Sequence, residues 1–314
     1  MRREFVDALV EIAERDERVV LLTGDLGFAA LEPFFERFPD RFFNAGVAEQ
    51  NMVGMATGLA EAGFTPYVYS ISTFASMRGY EFIRNGPVLH NLPVRVVGIG
   101  EGADYSHNGI THYALEDVAL MRAQPNLTVV NPASSGQVRP MLNAVHETTG
   151  PAYIRLSKVS QSVPGLPDAF ALGRAHQIGH GQDVAIIALG AMAANAVVCA
   201  DLLAEQLVQA RVIAVTSVSP APIDDLVCAL APVDLALSVE AHYATGGVGS
   251  LVAEVIAERE VSCRLIRAGV TSAPVGVAGS LGYMQEQLGI SPGRLADRVL
   301  EALQARSGNQ ATIL

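Results

Sequence analysis

Along the chain, short runs of aliphatic and β-branched residues alternate with longer stretches whose apolar positions recur every three to four residues. That is the pattern of a parallel sheet covered by helices, so the expected fold class is α/β. Phe5, Leu9, Ile12 and Ala13 fall on one helical face, and Val19-Val20-Leu21-Leu22, apolar at every position, predicts a strand buried on both sides. Further strands are predicted over 67–71, 94–99, 127–130 and 152–156, completing a first domain over 1–160. SVPGLPD and the glycines of GRAHQIGHGQ then break the periodicity, which predicts a linker over 161–182. Alternation resumes with strands predicted over 184–189, 210–215, 235–239 and 263–266 and helices over 193–207 and 251–258. The second domain is expected to be a smaller α/β unit over 183–306, followed by a mobile tail over 307–314.

Composition narrows the partners. Of 314 residues half are apolar and 17% charged, which is enough to build cores for two domains. Asp and Glu number 32 against 21 Lys and Arg, and the formal charge of -11 repels nucleic-acid phosphates and anionic lipid. No nucleic acid and no membrane is therefore the expectation. Apolar runs such as 184–189 are far shorter than the roughly 20 residues that span a bilayer. Met1-Arg2-Arg3-Glu4 runs into an acidic amphipathic segment rather than a signal-peptide core, so a cytoplasmic location is expected. Cys199, Cys228 and Cys263 lack a CxxC spacing and sit among apolar residues, which predicts three reduced core cysteines.

The most informative segment is Phe43-Asn44-Ala45-Gly46-Val47-Ala48-Glu49-Gln50-Asn51-Met52, a turn leading into a helix. Gly54 and Gly58 give that helix a small-residue face open to close approach. Glu49 stands at its start, where the helix dipole favours a carboxylate; taken alone, that makes it an ordinary first-turn acid. The longer string AGVAEQNMVGMATGLA, however, resembles the cofactor-activating segment of transketolases and deoxyxylulose-phosphate synthases. Thr23-Gly24-Asp25-Leu26, Ser72-Thr73-Phe74, Gly109-Ile110-Thr111-His112, Asn131-Pro132-Ala133 and Ile154-Arg155-Leu156-Ser157-Lys158 continue the likeness in order. Val239-Glu240-Ala241-His242 and Gly246-Gly247-Val248-Gly249-Ser250 extend it through the second domain, the latter as a helix-start packing feature.

The resemblance implies a thiamine-diphosphate enzyme that moves a two-carbon ketol unit from a ketose donor to an aldehyde acceptor. It implies that Glu49 hydrogen-bonds N1′ of the aminopyrimidine, and that Phe74 lines the ring pocket with Met77, where the family usually has a second aromatic, and Tyr80. Asp25 falls at a family acid near the thiazolium. His112 falls where an imidazole faces the reacting carbons and relays a proton, and His107 is a weaker substrate-pocket candidate. Lys158 matches a phosphate-binding position that is usually Arg. Asn108 stands where the family usually has Asp for a substrate hydroxyl, and Gly98-Ile99-Gly100-Glu101-Gly102 lacks a histidine expected in transketolases, so the donor need not be an ordinary sugar phosphate. The same glycines lack the full GxGxxG of a dinucleotide site. His90, His146, His176, His180 and His242 show no metal-ligand spacing, and no metal site is expected in this chain.

Half of the family's inventory is missing. The GDG motif and the Asn-Asn turn that hold the metal and diphosphate do not occur: Gly24-Asp25-Leu26 lacks the second glycine and no Asn-Asn pair exists. The resemblance thus implies a separate diphosphate-binding subunit carrying Mg2+ or Ca2+, in an α2β2 heterotetramer. Alternatives are the β subunit of a ketoacid dehydrogenase or a deoxyxylulose-phosphate-synthase-like enzyme, and, in another class, a noncatalytic scaffold or regulatory subunit.

Overall fold

Val19–Thr23 is buried at every position and forms β1, an inner strand of the larger of two sheets. The structure is a computed structural model that describes the backbone of residues 1–310 and the side chains of residues 1–305. In the first sheet β1 is joined by β2 (Phe42–Asn44), β3 (Thr65–Ile71), β4 (Arg95–Ile99), β5 (Thr128–Val130) and β6 (Ala152–Leu156), all parallel, in the order β5-β6-β4-β3-β1-β2. The second sheet holds β7 (Ala175–Ile178), β8 (Val184–Leu189), β9 (Ala210–Val215), β11 (Leu235–Tyr243) and β12 (Arg264–Val270) in the order β12-β11-β8-β9-β7, with only β7 antiparallel. The strand between β9 and β11, β10 (Ser217–Ser219), leaves the second sheet and pairs antiparallel with β5 of the first.

Helices cover both sheets: α1 (Arg2–Arg15), α2 (Glu32–Arg37), α3 (Glu49–Glu61), α4 (Tyr80–Ile83), α5 (Asp117–Arg122) and α6 (Val138–His146), then α7 (Met192–Glu205), α8 (Ile223–Leu230), α9 (Val248–Glu258), α10 (Leu281–Gln287) and α11 (Pro292–Gln310). The three-to-four spacing of α1 does what it predicts. Phe5, Leu9 and Ile12 are buried in one cluster with Tyr67 and Tyr69 of β3, and Phe5 stacks on Tyr69 with centroids 5.8 Å apart. Each such side chain contributes about 1.5–3 kcal/mol by leaving water, so truncating Leu9 would cost ~2–5 kcal/mol.

The domains are interlocked rather than merely tethered. Besides β10, the buried Arg155 of β6 binds Asp117 through Nε (2.8 Å) and Nη2 (3.1 Å) and also donates to the carbonyl of Ala241 in β11 (3.0 Å). His242 Nε2 accepts the backbone N–H of Ala119 in α5 at 3.3 Å. Such a pair offsets much of its own desolvation only while complete; losing one partner costs about 3–5 kcal/mol.

Several expectations change. The stretch expected as a linker contains β7, a short polar strand whose lack of apolar alternation hid it, and β2 and β10 were equally silent. Helix α11 continues into the expected tail as far as Gln310, and 311–314 lie outside the described residues. Of the three cysteines only Cys199 is buried; Cys263 is half-buried, and Cys228 is exposed because α8 turns Leu226, Ala229 and Leu230 inward. Gly54 receives the Phe82 ring rather than a second backbone, and Gly58 faces open space.

Candidate active site

Because β1, β2, β3, β4 and β6 are parallel, the loops that follow them open on one edge of the sheet, where open α/β sheets bind ligands. Asp25 follows β1, Glu49 follows β2, Phe74 follows β3, His112 follows β4 and Lys158 follows β6. Topology alone thus gathers the sequence candidates on a single edge.

Glu49 is the first residue of α3 and only 2% exposed. Its Oε1 accepts the Ser70 hydroxyl at 3.0 Å, and its Oε2 pairs with Arg78 Nη1 at 3.0 Å. Gly24, just after β1, lies alongside it, and a Cβ there would come into ordinary contact with Oε1 at 3.6 Å. The carboxylate is therefore desolvated, fixed on one side by a buried hydroxyl, and neutralised on the other by a guanidinium that is itself 46% exposed.

From Glu49 a continuous line of ring and cation contacts runs across the edge. Residues Phe74–Arg78 form a wide π-helical turn that lays the Arg78 guanidinium over the Phe74 ring, 3.9 Å from its centroid. Phe74 meets the His112 ring edge-on, with centroids 5.2 Å apart, and His112 lies 6.1 Å from the Tyr105 ring. Lys158 Nζ sits 4.0 Å from the centroid of Tyr105. His112 Nδ1 is 3.0 Å from the Thr111 hydroxyl. Gly100 makes room for this line: its φ is +89°, and any Cβ on it would collide with the Tyr105 ring.

The remaining candidates lie around this line. Asp25 is exposed at φ +57°, its carboxylate accepting from Asn44 Nδ2 at 3.0 Å. Met77 is 43% exposed on the Phe74 turn. The Tyr80 hydroxyl is tied to α5, donating to the Leu120 carbonyl at 3.1 Å. His107 and Asn108 are exposed on the loop that carries His112. Beyond Lys158 opens a cavity of about 630 Å³ lined by Arg2, Arg3, Asp7, Glu32 and Ser160 among others. Sequence reasoning missed Ser70, Arg78, Tyr105, Arg2 and Arg3. Only Arg78 carried a signal, four residues after Phe74 in the same turn. Among the described residues no three His, Cys, Asp or Glu side chains converge as metal ligands, and no helix is long and apolar enough to cross a membrane.

With this geometry in place, family profiles cover most of the chain: the transketolase pyrimidine-binding domain matches residues 1–162, and the transketolase C-terminal domain matches residues 173–295. The chain belongs to the transketolase family. The 6-deoxy-6-sulfo-D-fructose transketolase subunit SqwH of Clostridium sp. (strain MSTE9) is 34% identical over 293 residues, covering 93% of this chain and 90% of that one. An apulose-4-phosphate transketolase subunit of Actinobacillus succinogenes is 32% identical over 275 residues, covering 87% and 88%. A solved split-gene transketolase, described as an inactive beta4 tetramer, is 34% identical with a TM-score of 0.86 over 96% of this chain and 98% of that one. The chain thus carries the pyrimidine-binding and C-terminal domains of the family, and the relatives it matches over most of both lengths are named as transketolase subunits.

Proposed function

We propose that this transketolase subunit uses Glu49 to activate thiamine diphosphate, and that a separate diphosphate-binding chain completes the site with the metal ion. The observation that carries the reading is the buried Glu49 carboxylate linked through the Arg78 guanidinium to the Phe74 ring. The residues present fit the cofactor's pyrimidine. Phe74 already holds one flat, delocalised cation, the Arg78 guanidinium, which hydrogen-bonds Glu49, and a planar nitrogen heterocycle with a protonated ring nitrogen would use the same two partners. When bound, thiamine diphosphate supplies the carbanion chemistry that breaks and makes the carbon–carbon bonds of ketol transfer.

The protein's own part is orientation and proton movement. Glu49, held by Ser70, keeps one carboxylate oxygen aimed by a rigid helix start and exchanges a proton with the pyrimidine ring nitrogen. Phe74, flanked by Met77 and Tyr80, sets the plane of that ring, and Asp25 stands at the adjacent strand end. His112, whose Nδ1 is taken by Thr111, offers Nε2 to the substrate oxygen on which charge develops, with His107 and Asn108 on the same loop toward the substrate hydroxyls. Lys158, Arg2 and Arg3 stand around the adjoining cavity at the far end, which Glu32 and Asp7, 3.7 Å from Arg3, also line. The two curated relatives act, by their names, on a sulfonated and a phosphorylated ketose, and an anionic terminus suits those cations here as well.

The partner claim rests on the likeness to proteins named as transketolase subunits and to a split-gene transketolase, and on what the chain exposes. Val47 beside Glu49 is 71% exposed, and Met77, Phe82 and Leu89 on the following turns are 43%, 38% and 71% exposed, an apolar rim suited to another chain. In this reading the assembly is α2β2, with Mg2+ or Ca2+ held by the partner. The test is to reconstitute the pair, supply a panel of sulfonated, phosphorylated and neutral ketoses with aldehyde acceptors, and identify products by mass spectrometry. Two-carbon transfer from an anionic ketose is the expected result; decarboxylation of ketoacids onto a lipoyl acceptor, without ketol transfer, would overturn the reading.

A further inference from the structure

The loop over 103–113, which carries Tyr105, His107, Asn108 and His112, is gripped by the second domain. Its ends meet at a bridge in which Ala114 N–H donates to the Gly102 carbonyl at 2.9 Å. That root presses on β11, for a Cβ on Gly102 would lie 2.5 Å from Ala241 Cβ. Next to His112, the Tyr113 hydroxyl is 2.7 Å from the Ser106 carbonyl and 3.1 Å from the carbonyl of Val277, which lies in the second domain between β12 and α10. Gly279 N–H also reaches the Ser106 carbonyl, at 3.4 Å. The Tyr113 ring is buried with Ala103 and Leu115 of its own domain and Val270 and Met284 of the other.

The second domain's own crevice is filled. Its strand order reverses between β8 and β11, the point where an open α/β sheet ordinarily binds a ligand. There the Asn131 side chain from the first domain fills the space over Gly190, where any Cβ would collide with its amide. Glu240 accepts the Val248 and Gly249 N–H groups at 2.8 and 3.0 Å, taking the place an anion would have at the start of α9. The cavity left beside Ala241 and Met192 is about 40 Å³, against roughly 300 Å³ or more for a ligand pocket.

We propose that Tyr113 is a positioning residue through which the second domain holds the 103–113 loop and so sets His112 against the substrate. The proposal rests on the His112 role given under Proposed function. Tyr113→Phe removes only the hydroxyl that spans both carbonyls. In the full chain, hydrogen exchange at the amides of 106–112 should speed up on the order of tenfold, because a locally clamped loop becomes free to open. In the chain reconstituted with its partner and given hydroxypyruvate as donor probe, kcat should fall about tenfold with cofactor affinity unchanged, as expected when a proton-relay group is misplaced by a fraction of an ångström. A Tyr113→Phe, His112→Asn double variant should be no slower than His112→Asn alone. Ser280→Ala, which removes the cap on Tyr283 N–H at the start of α10, should move exchange in the same direction by a smaller factor, and it carries the test if the first variant does not fold. Unchanged exchange, or an equal fractional loss of kcat with His112 already replaced, would overturn the positioning role while leaving the His112 reading intact. Wild-type activity in His112→Asn would overturn that reading and the proposal with it.

Discussion

Glu49 and Glu240 are both nearly inaccessible carboxylates at helix starts on the carboxyl edge of a parallel sheet, yet their surroundings differ in the way that separates chemistry from architecture. Glu240 spends both oxygens on main-chain N–H groups of Val248 and Gly249, which cannot leave without unwinding α9. Glu49 spends one oxygen on a buried serine and the other on Arg78, a side chain half in solvent whose departure would unwind no backbone. A buried acid whose partners are all backbone is a structural bolt. One whose partner can depart is available to a ligand.

The sharpest way to break this comparison is Glu49→Gln. The amide keeps size and burial but cannot exchange a proton, so the assembled enzyme should lose on the order of 10³-fold or more in rate, about 4 kcal/mol of transition-state stabilisation, with its melting temperature little changed. Steady-state turnover together with C2 proton exchange of bound cofactor measures this, and near-wild-type exchange would refute the role of Glu49.

Glu240→Gln should do the reverse. Its amide NH2 must confront a backbone N–H, costing ~1–3 kcal/mol of folding stability, while kcat of the folded fraction stays at the wild-type value. Burial pushes the Glu101 and Glu240 carboxyls up to about 7 from an ordinary 4.5. The folded protein therefore holds protons between those two values that the unfolded chain has already released. Stability contributed by these groups is present at low pH and lost as pH rises through that window, and Glu240→Gln should flatten the slope. Denaturant midpoints at pH 5, 6, 7 and 8 check both the sign and the flattening; a slope that steepens in the variant would contradict it.

The smallest effect belongs to Arg78→Ala. The guanidinium is half in solvent, so water can enter the space it leaves and solvate the Glu49 carboxylate, and the loss should stay near ~1 kcal/mol with only a small shift in melting temperature. A large destabilisation would mean that Arg78 is a fixed structural partner and that Glu49 is no more available than Glu240.

How much was legible in the sequence follows the same division. Strand cores such as Val19–Thr23 and Val184–Leu189 declare themselves because burial on both faces demands apolar residues at every position. Glu49 was visible because a helix start and its surrounding string are local in sequence. Tyr105, Ser70 and Arg2 were not, since their meaning arises only when parallel strands bring separate loops to one edge. The partnership of Tyr113 with Val277 spans both domains, and no local periodicity encodes it. Strands β7 and β10 were hidden for a related reason: edge strands tolerate polar residues, so AHQI and SVS carry no alternation to read.

The central claim is that this chain holds the pyrimidine half of an active site and needs another chain for the rest. Titration calorimetry of thiamine diphosphate into the verified partner-free protein, with and without magnesium, tests it most directly. Ring stacking adds only ~1 kcal/mol beyond area burial, too little to hold a polyanionic diphosphate beside an acidic protein. The account predicts no tight, magnesium-dependent binding until the partner is added, with affinity and turnover then appearing together. Micromolar, magnesium-dependent binding accompanied by catalysis in the partner-free chain would contradict it.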